Sequence, residues 1–135
     1  MSPESRELGG RWLIKAQSDL ASARLLITGS EKHLDTGSYH CHQTAEKALK
    51  AWLTTQEVIF PKTHSLSALL AHCTTFDPAF HGLQKHAEKL TPLGTAFRYP
   101  GEELQPDLNV TSQALAFAEE VYTFCKKQIA STGIQ

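Results

Sequence analysis

At 135 residues the chain is sized for one domain, long enough to bury roughly two thirds of the surface its unfolded form exposes. Thirteen Lys and Arg nearly balance fourteen Asp and Glu, so no global field draws it to nucleic acid or anionic lipid, and any such contact rests on a local patch. No apolar run approaches the ~20 residues of a membrane span, and no signal-peptide pattern opens the chain.

Taken in order, Met1 to Gly10 is polar, ends in Gly9-Gly10 and reads as a flexible arm ahead of a domain over residues 11–130. A first helix is expected from Arg11 to Thr28, with Leu13, Ala16, Leu20, Ala23 and Ile27 on one face and Gly29 to stop it. Asp35 or Thr36 is placed to cap a second helix that runs past Trp52 to about Gln56. It carries Cys41, Ala45, Ala48, Leu49, Trp52 and Leu53 as an apolar stripe. Val58-Ile59-Phe60-Pro61 ends in a proline and reads as a buried connector. A short third helix covers about Ser65 to Cys73. Asp77-Pro78 then supplies a capping carboxylate and a first-turn proline for a fourth, ending at Thr91-Pro92.

Thr91 to Asn109 holds three of the six prolines and reads as one long loop, a length that often marks function. Thr111 or Ser112 is expected to cap a last helix through about Ile129, with Leu115, Ala118, Tyr122, Cys125 and Ile129 inward. Cys41, Cys73 and Cys125 lie in apolar patterns and are odd in number. They read as reduced core thiols of a cytoplasmic protein, not as a disulfide frame or zinc knuckle. With no strand-like alternation and no repeat, the reading is all-α: an up-and-down bundle of four to five helices. The apolar stripes of the second and last helices look wider than one bundle seam needs, which suggests a homodimer through a helical face.

Three places carry candidate chemistry. Tyr39, Gln43, Lys47 and Lys50 recur at intervals of four, four and three, a polar ladder on the second helix. It either lines a phosphate-binding groove or is an ordinary solvated face. His64, in Pro61-Lys62-Thr63-His64-Ser65-Leu66, either exchanges protons with a ligand or caps the third helix or bonds a loop carbonyl. Arg98-Tyr99-Pro100 either grips a phosphate and stacks on a base or ties the loop to a carboxylate such as Glu46. His40 and His42 are two apart on a helix and diverge, so no metal site is assigned.

In this order, Tyr39-x-x-x-Gln43-x-x-Glu46-Lys47-x-x-Lys50, then Pro61-Lys62-Thr63-His64-Ser65-Leu66, then Arg98-Tyr99-Pro100 resemble the HEPN family (higher eukaryotes and prokaryotes nucleotide-binding domain). The resemblance spans about Arg11 to Ala130. It implies a helical bundle, usually a homodimer, that is either a metal-independent endoribonuclease or a partner of a small nucleotidyltransferase. Its ribonuclease members carry an arginine, four to six residues, then a histidine. None of His33, His40, His42, His64, His72, His81 and His86 has an arginine five to seven positions upstream. The expectation is therefore a non-catalytic protein that binds nucleotide or RNA, or partners a nucleotidyltransferase in a toxin–antitoxin-like pair, without cofactor or metal. Its ligand set is Tyr39, Gln43, Glu46, Lys47, Lys50, Lys62, His64, Arg98 and Tyr99. A divergent ribonuclease and a dimeric scaffold without a small ligand are the alternatives.

Overall fold

The computed structural model describes residues 1–97, 100 and 106–133. Among the described residues five α-helices follow one another: α1 (Pro3–Thr28), α2 (Leu34–Thr55), α3 (Leu66–Phe76), α4 (Gln84–Leu90) and α5 (Leu108–Gly133). Two 3-10 turns, Pro78–Leu83 and Thr91–Gly94, flank α4. The described residues contain no strand, so the all-α bundle expected from periodicity is what forms.

The helix α2 is the axis of the fold. It packs against α1, α5, α3, α4 and the Thr91–Gly94 turn, and burial follows it almost all the way round, from Cys41 and Ala45 to Leu49, Trp52 and Leu53. That wide stripe is therefore consumed within the chain, and for α2 its width gives no argument for a second copy. Hydrophobic burial of this kind, at roughly 25 cal/mol per Å², is the main force holding the bundle. At one end Trp52, Phe80 and Phe124 form an aromatic cluster of tilted and edge-to-face rings, with centroids 4.5 and 4.9 Å apart. Cys41, Cys73 and Cys125 are buried free thiols in this core.

The first helix begins earlier than its sequence suggests. Ser2 accepts the Ser5 N–H through its hydroxyl and Pro3 occupies the first turn, a start signal that satisfies the orphan amides. Gly9 is buried, because a Cβ there would collide with Cγ2 of Thr55 at the far end of α2. The glycine that looked like the end of a loose arm is a close-approach point between two helices. At the other end Ile27 packs on Gly37, so α1 and α2 run antiparallel.

Other boundaries shift for identifiable reasons. His33, not Asp35 or Thr36, stands before α2 and makes no side-chain cap. Asp77 caps as expected, accepting from Ala79 N–H, but the segment opens as a 3-10 turn before α4 begins. Asp107, not Thr111 or Ser112, receives the Val110 N–H at the start of α5, and its other tie is to the amide and hydroxyl of Thr111. The connector after α2 is not buried as a unit: Val58 and Phe60 pack on the core while Ile59 is 97% exposed.

Candidate functional site

The polar side of α2 is neither open groove nor solvated face. Glu46 is the node. Its carboxylate is 5% exposed, with Oε2 accepting from Lys50 Nζ at 2.8 Å and Oε1 accepting from His64 Nδ1 at 3.0 Å. Lys50 in turn lies over the Trp12 ring, 5.6 Å from its centroid. Burial alone would raise the Glu46 carboxyl. The hydrogen bonds from Lys50 and His64, with the charge of Lys50, outweigh it and hold the group below the usual carboxylate range. Glu46 is thus an ionised, acceptor-only group inside the bundle.

His42 sits one turn before it, fully buried. Its Nε2 donates to the backbone carbonyl of His64 at 2.8 Å. Burial pushes its pKa down, so the ring is neutral and Nδ1 is left as an acceptor, 3.5 Å from Gln43 Nε2 and 3.8 Å from Glu46 Oε1. The Thr91–Gly94 turn closes over the same ring. A Cβ added to Gly94 would lie 2.7 Å from Nε2 of His42, which only a glycine avoids.

His64 is thereby held twice, through its carbonyl by His42 and through its ring by Glu46, yet its side chain is 80% exposed. It caps nothing: Ser65 Oγ accepts the Ala68 N–H at the start of α3. The ring's partner is a buried carboxylate and not a loop carbonyl.

A second polar node lies beside the first. Asp19 of α1 accepts from Lys47 Nζ at 2.6 Å and from His40 Nδ1 at 2.8 Å. Lys47 is therefore committed to an ion pair between α1 and α2. Tyr39 and Phe97 line a shallow hollow of about 220 Å³ with Asp35 and Thr36. Phe97 takes φ 64°, a left-handed conformation that non-glycine residues adopt at a cost. Lys62 is exposed and makes no side-chain hydrogen bond or ion pair with a described residue. Arg98 and Tyr99 lie outside the described residues.

Of the nine residues expected to share a site, the fold brings Glu46, Lys50 and His64 into direct contact, with Gln43 at their margin. It assigns Lys47 to Asp19. Sequence reasoning missed Asp19, His42 and Gly94. A signal existed for two of them: Asp19 interrupts the Ala16, Leu20, Ala23 stripe, and His42 stands four residues before Glu46 on the same face. No cluster suited to a metal ion occurs among the described residues, and none of their helices is long and apolar enough to cross a membrane.

These features define a helical-bundle domain whose central helix carries a built polar edge. A family model, HEPN domain, matches residues 10–128, and the chain belongs to the HEPN family of nucleotide-binding or ribonuclease-type helical domains. Among solved structures, the crystal structure of an archaeal HEPN homologue is similar with a TM-score of 0.71 at 26% identity, covering 90% of this chain and 97% of that one. No curated protein matches.

Proposed function

We propose that this chain is a non-catalytic HEPN-domain protein that binds the phosphate-bearing part of a nucleotide or RNA at the His64 turn. In this reading it serves as the binding partner of a small nucleotidyltransferase, in a toxin–antitoxin-like pair. The observation that carries the proposal is the investment around one exposed imidazole. A buried carboxylate, a buried lysine and a buried histidine are all spent on fixing His64 in place. Buried ionic groups are costly to assemble, and apolar residues of similar volume stabilise a fold at least as well. A network of this kind that ends on an exposed side chain fits recognition better than stability.

Lys62, exposed two residues before His64, supplies a charge suited to phosphate. The absence of an arginine at the ribonuclease spacing favours binding over cleavage. Homodimerisation belongs to the same reading. The test is co-expression with a neighbouring small nucleotidyltransferase, followed by size-exclusion chromatography and melting with and without nucleotide. Co-elution, or a nucleotide-dependent rise in Tm, supports the proposal. Absence of both removes it, and RNA cleavage in chelator would move the protein to the enzymatic branch.

A further inference from the structure

The hollow at the start of α2 combines a carboxylate with aromatic surface. Asp35, Thr36 and Tyr39 line it from the first turns of the helix, and Phe97 adds a second ring from the segment after the Thr91–Gly94 turn. Its volume of about 220 Å³ falls below the ~300–1,000 Å³ of sites that engulf a drug-sized ligand. It therefore admits one flat ring and leaves the rest of a ligand outside. Phe97 holds φ 64°, a left-handed conformation that persists only where its surroundings fix it and that gathers at ligand clamps. Asp35 is anchored as well: Oδ1 accepts the Thr36 N–H at 2.8 Å, while Oδ2 has no partner among the described residues. A carboxylate offers about four lone-pair sites, so this one keeps room for further donors.

A carboxylate accepts and does not donate, so the ring it selects presents N–H groups with no lone pair beside them. Guanine carries two such groups side by side, its ring N1–H and its 2-amino group. Adenine and cytosine set an amino donor beside a ring-nitrogen acceptor, and uracil flanks its N–H with two carbonyls. Each of those edges turns a lone pair toward Asp35. Stacking on aromatic rings, with the base edge read by hydrogen bonds, is how proteins take unpaired bases. We propose that this hollow is a guanine-base subsite, in which Asp35 accepts from N1–H and the 2-amino group while Tyr39 and Phe97 supply the stacking surface; this rests on the nucleotide-binding reading above. Thr36 is then a positioning residue, which holds the carboxylate through its backbone N–H. Tyr39 shares a helix face with Glu46, the residue that holds His64, about 10 Å further along the axis. Base and phosphate of one nucleotide thus have separate anchors on one side of α2.

Calorimetry compares the 5′-monophosphates of guanosine, adenosine, cytidine and uridine, with those of inosine and xanthosine as probes. Inosine keeps N1–H but lacks the 2-amino group, and xanthosine has a carbonyl in its place. Guanosine should bind about tenfold tighter than adenosine, cytidine or uridine, the size of one hydrogen bond to a charged group, with inosine between. Asp35→Asn, whose amide oxygen can still accept the Thr36 N–H, should bring guanosine down to the other bases and raise xanthosine above it. Tyr39→Leu should weaken every base alike and keep the preference. Equal affinities for the four bases, or preference for another base, overturn the subsite while leaving nucleotide binding standing. Inosine binding as tightly as guanosine overturns it without recourse to any variant. A guanine preference that survives Asp35→Asn places the base elsewhere and also overturns it. Binding of none of these ligands removes both readings.

Discussion

Glu46 and His64, eighteen residues apart in the chain, meet at 3.0 Å between Oε1 and Nδ1, and the contact joins a buried atom to an exposed ring. The two ends of this contact should behave very differently when removed. Glu46→Ala leaves Lys50, only 11% exposed, with no counter-charge, a loss of about 3–5 kcal/mol for breaking a buried pair. His64→Ala removes a side chain that is largely in water and should cost below ~1 kcal/mol. Urea denaturation of the two variants checks this. Equal losses would show that the ring is a structural strut, which would weaken the case for a recognition role.

The buried imidazole of His42 makes stability depend on pH with a definite sign. Its folded pKa is lowered by burial, so above about 6.5 it is neutral both folded and unfolded. As pH falls below that value the unfolded chain takes up the proton first, and stability is lost until the folded pKa is passed. Glu46, also lowered, adds a loss of the same sign beginning below about 4.3. Denaturation midpoints should therefore fall between pH 7 and pH 5. His42→Gln, whose amide can still donate to the His64 carbonyl, should flatten that interval. A slope unchanged by the substitution would assign it to other groups.

The fold was legible in the sequence because burial here obeys helical period. Leu49, Trp52 and Leu53 of α2 lie where the stripe puts them, and so do Ala118 and Cys125 of α5. The misread boundaries share a cause: Gly9 looks like a breaker until Thr55 is seen against it, and Ile59 looks buried until its direction is known. Period reports a face, whereas the meeting of residues distant in sequence depends on tertiary packing. The same limit applied at the site. Glu46 with Lys50 was visible as a spacing, but the spacing does not distinguish a surface pair from a buried one. Lys47 stood in the same ladder, and only the packing of α1 shows that Asp19 takes its charge.

Gly94 and His42 should be energetically coupled. Alanine at 94 places its Cβ against the imidazole, 2.7 Å from Nε2, and that ring is pinned by the His64 carbonyl. Overpacking of this sort costs typically about 1–3 kcal/mol. In a His42→Ala background the obstruction is gone, so the same glycine substitution should cost much less. A double-mutant cycle measures the difference. Additive losses would mean that the Thr91–Gly94 turn yields and that the ring does not fix its position.

The three cysteines report on the integrity of the core. Burial pushes the Cys41 and Cys73 thiols up to about 12 and the Cys125 thiol well above its ordinary value, so the reactive thiolate is scarce in the folded state. Native protein should give almost no colour with a disulfide reagent over minutes, and urea should release three equivalents. The labelling rate should follow the unfolding equilibrium when denaturant is varied. Rapid reaction of one thiol without denaturant would reveal local opening of the helix that carries it.

Lys62 and Lys47 make opposite predictions although both stood as ligand candidates. Lys62 is exposed and pairs with no described residue, so its charge is available to an incoming phosphate. Lys47 is held by Asp19 at 2.6 Å, and its removal leaves that carboxylate, 12% exposed, with His40 alone. Lys62→Ala should weaken nucleotide or RNA binding roughly twofold to fivefold, as expected for an ion pair on an open surface, and should leave the melting temperature unchanged. Lys47→Ala should lower the melting temperature and leave affinity nearly as it was. Calorimetric titration and thermal melting of both variants decide between them. A larger affinity loss in Lys47→Ala would move the phosphate contact from the His64 turn to the middle of α2.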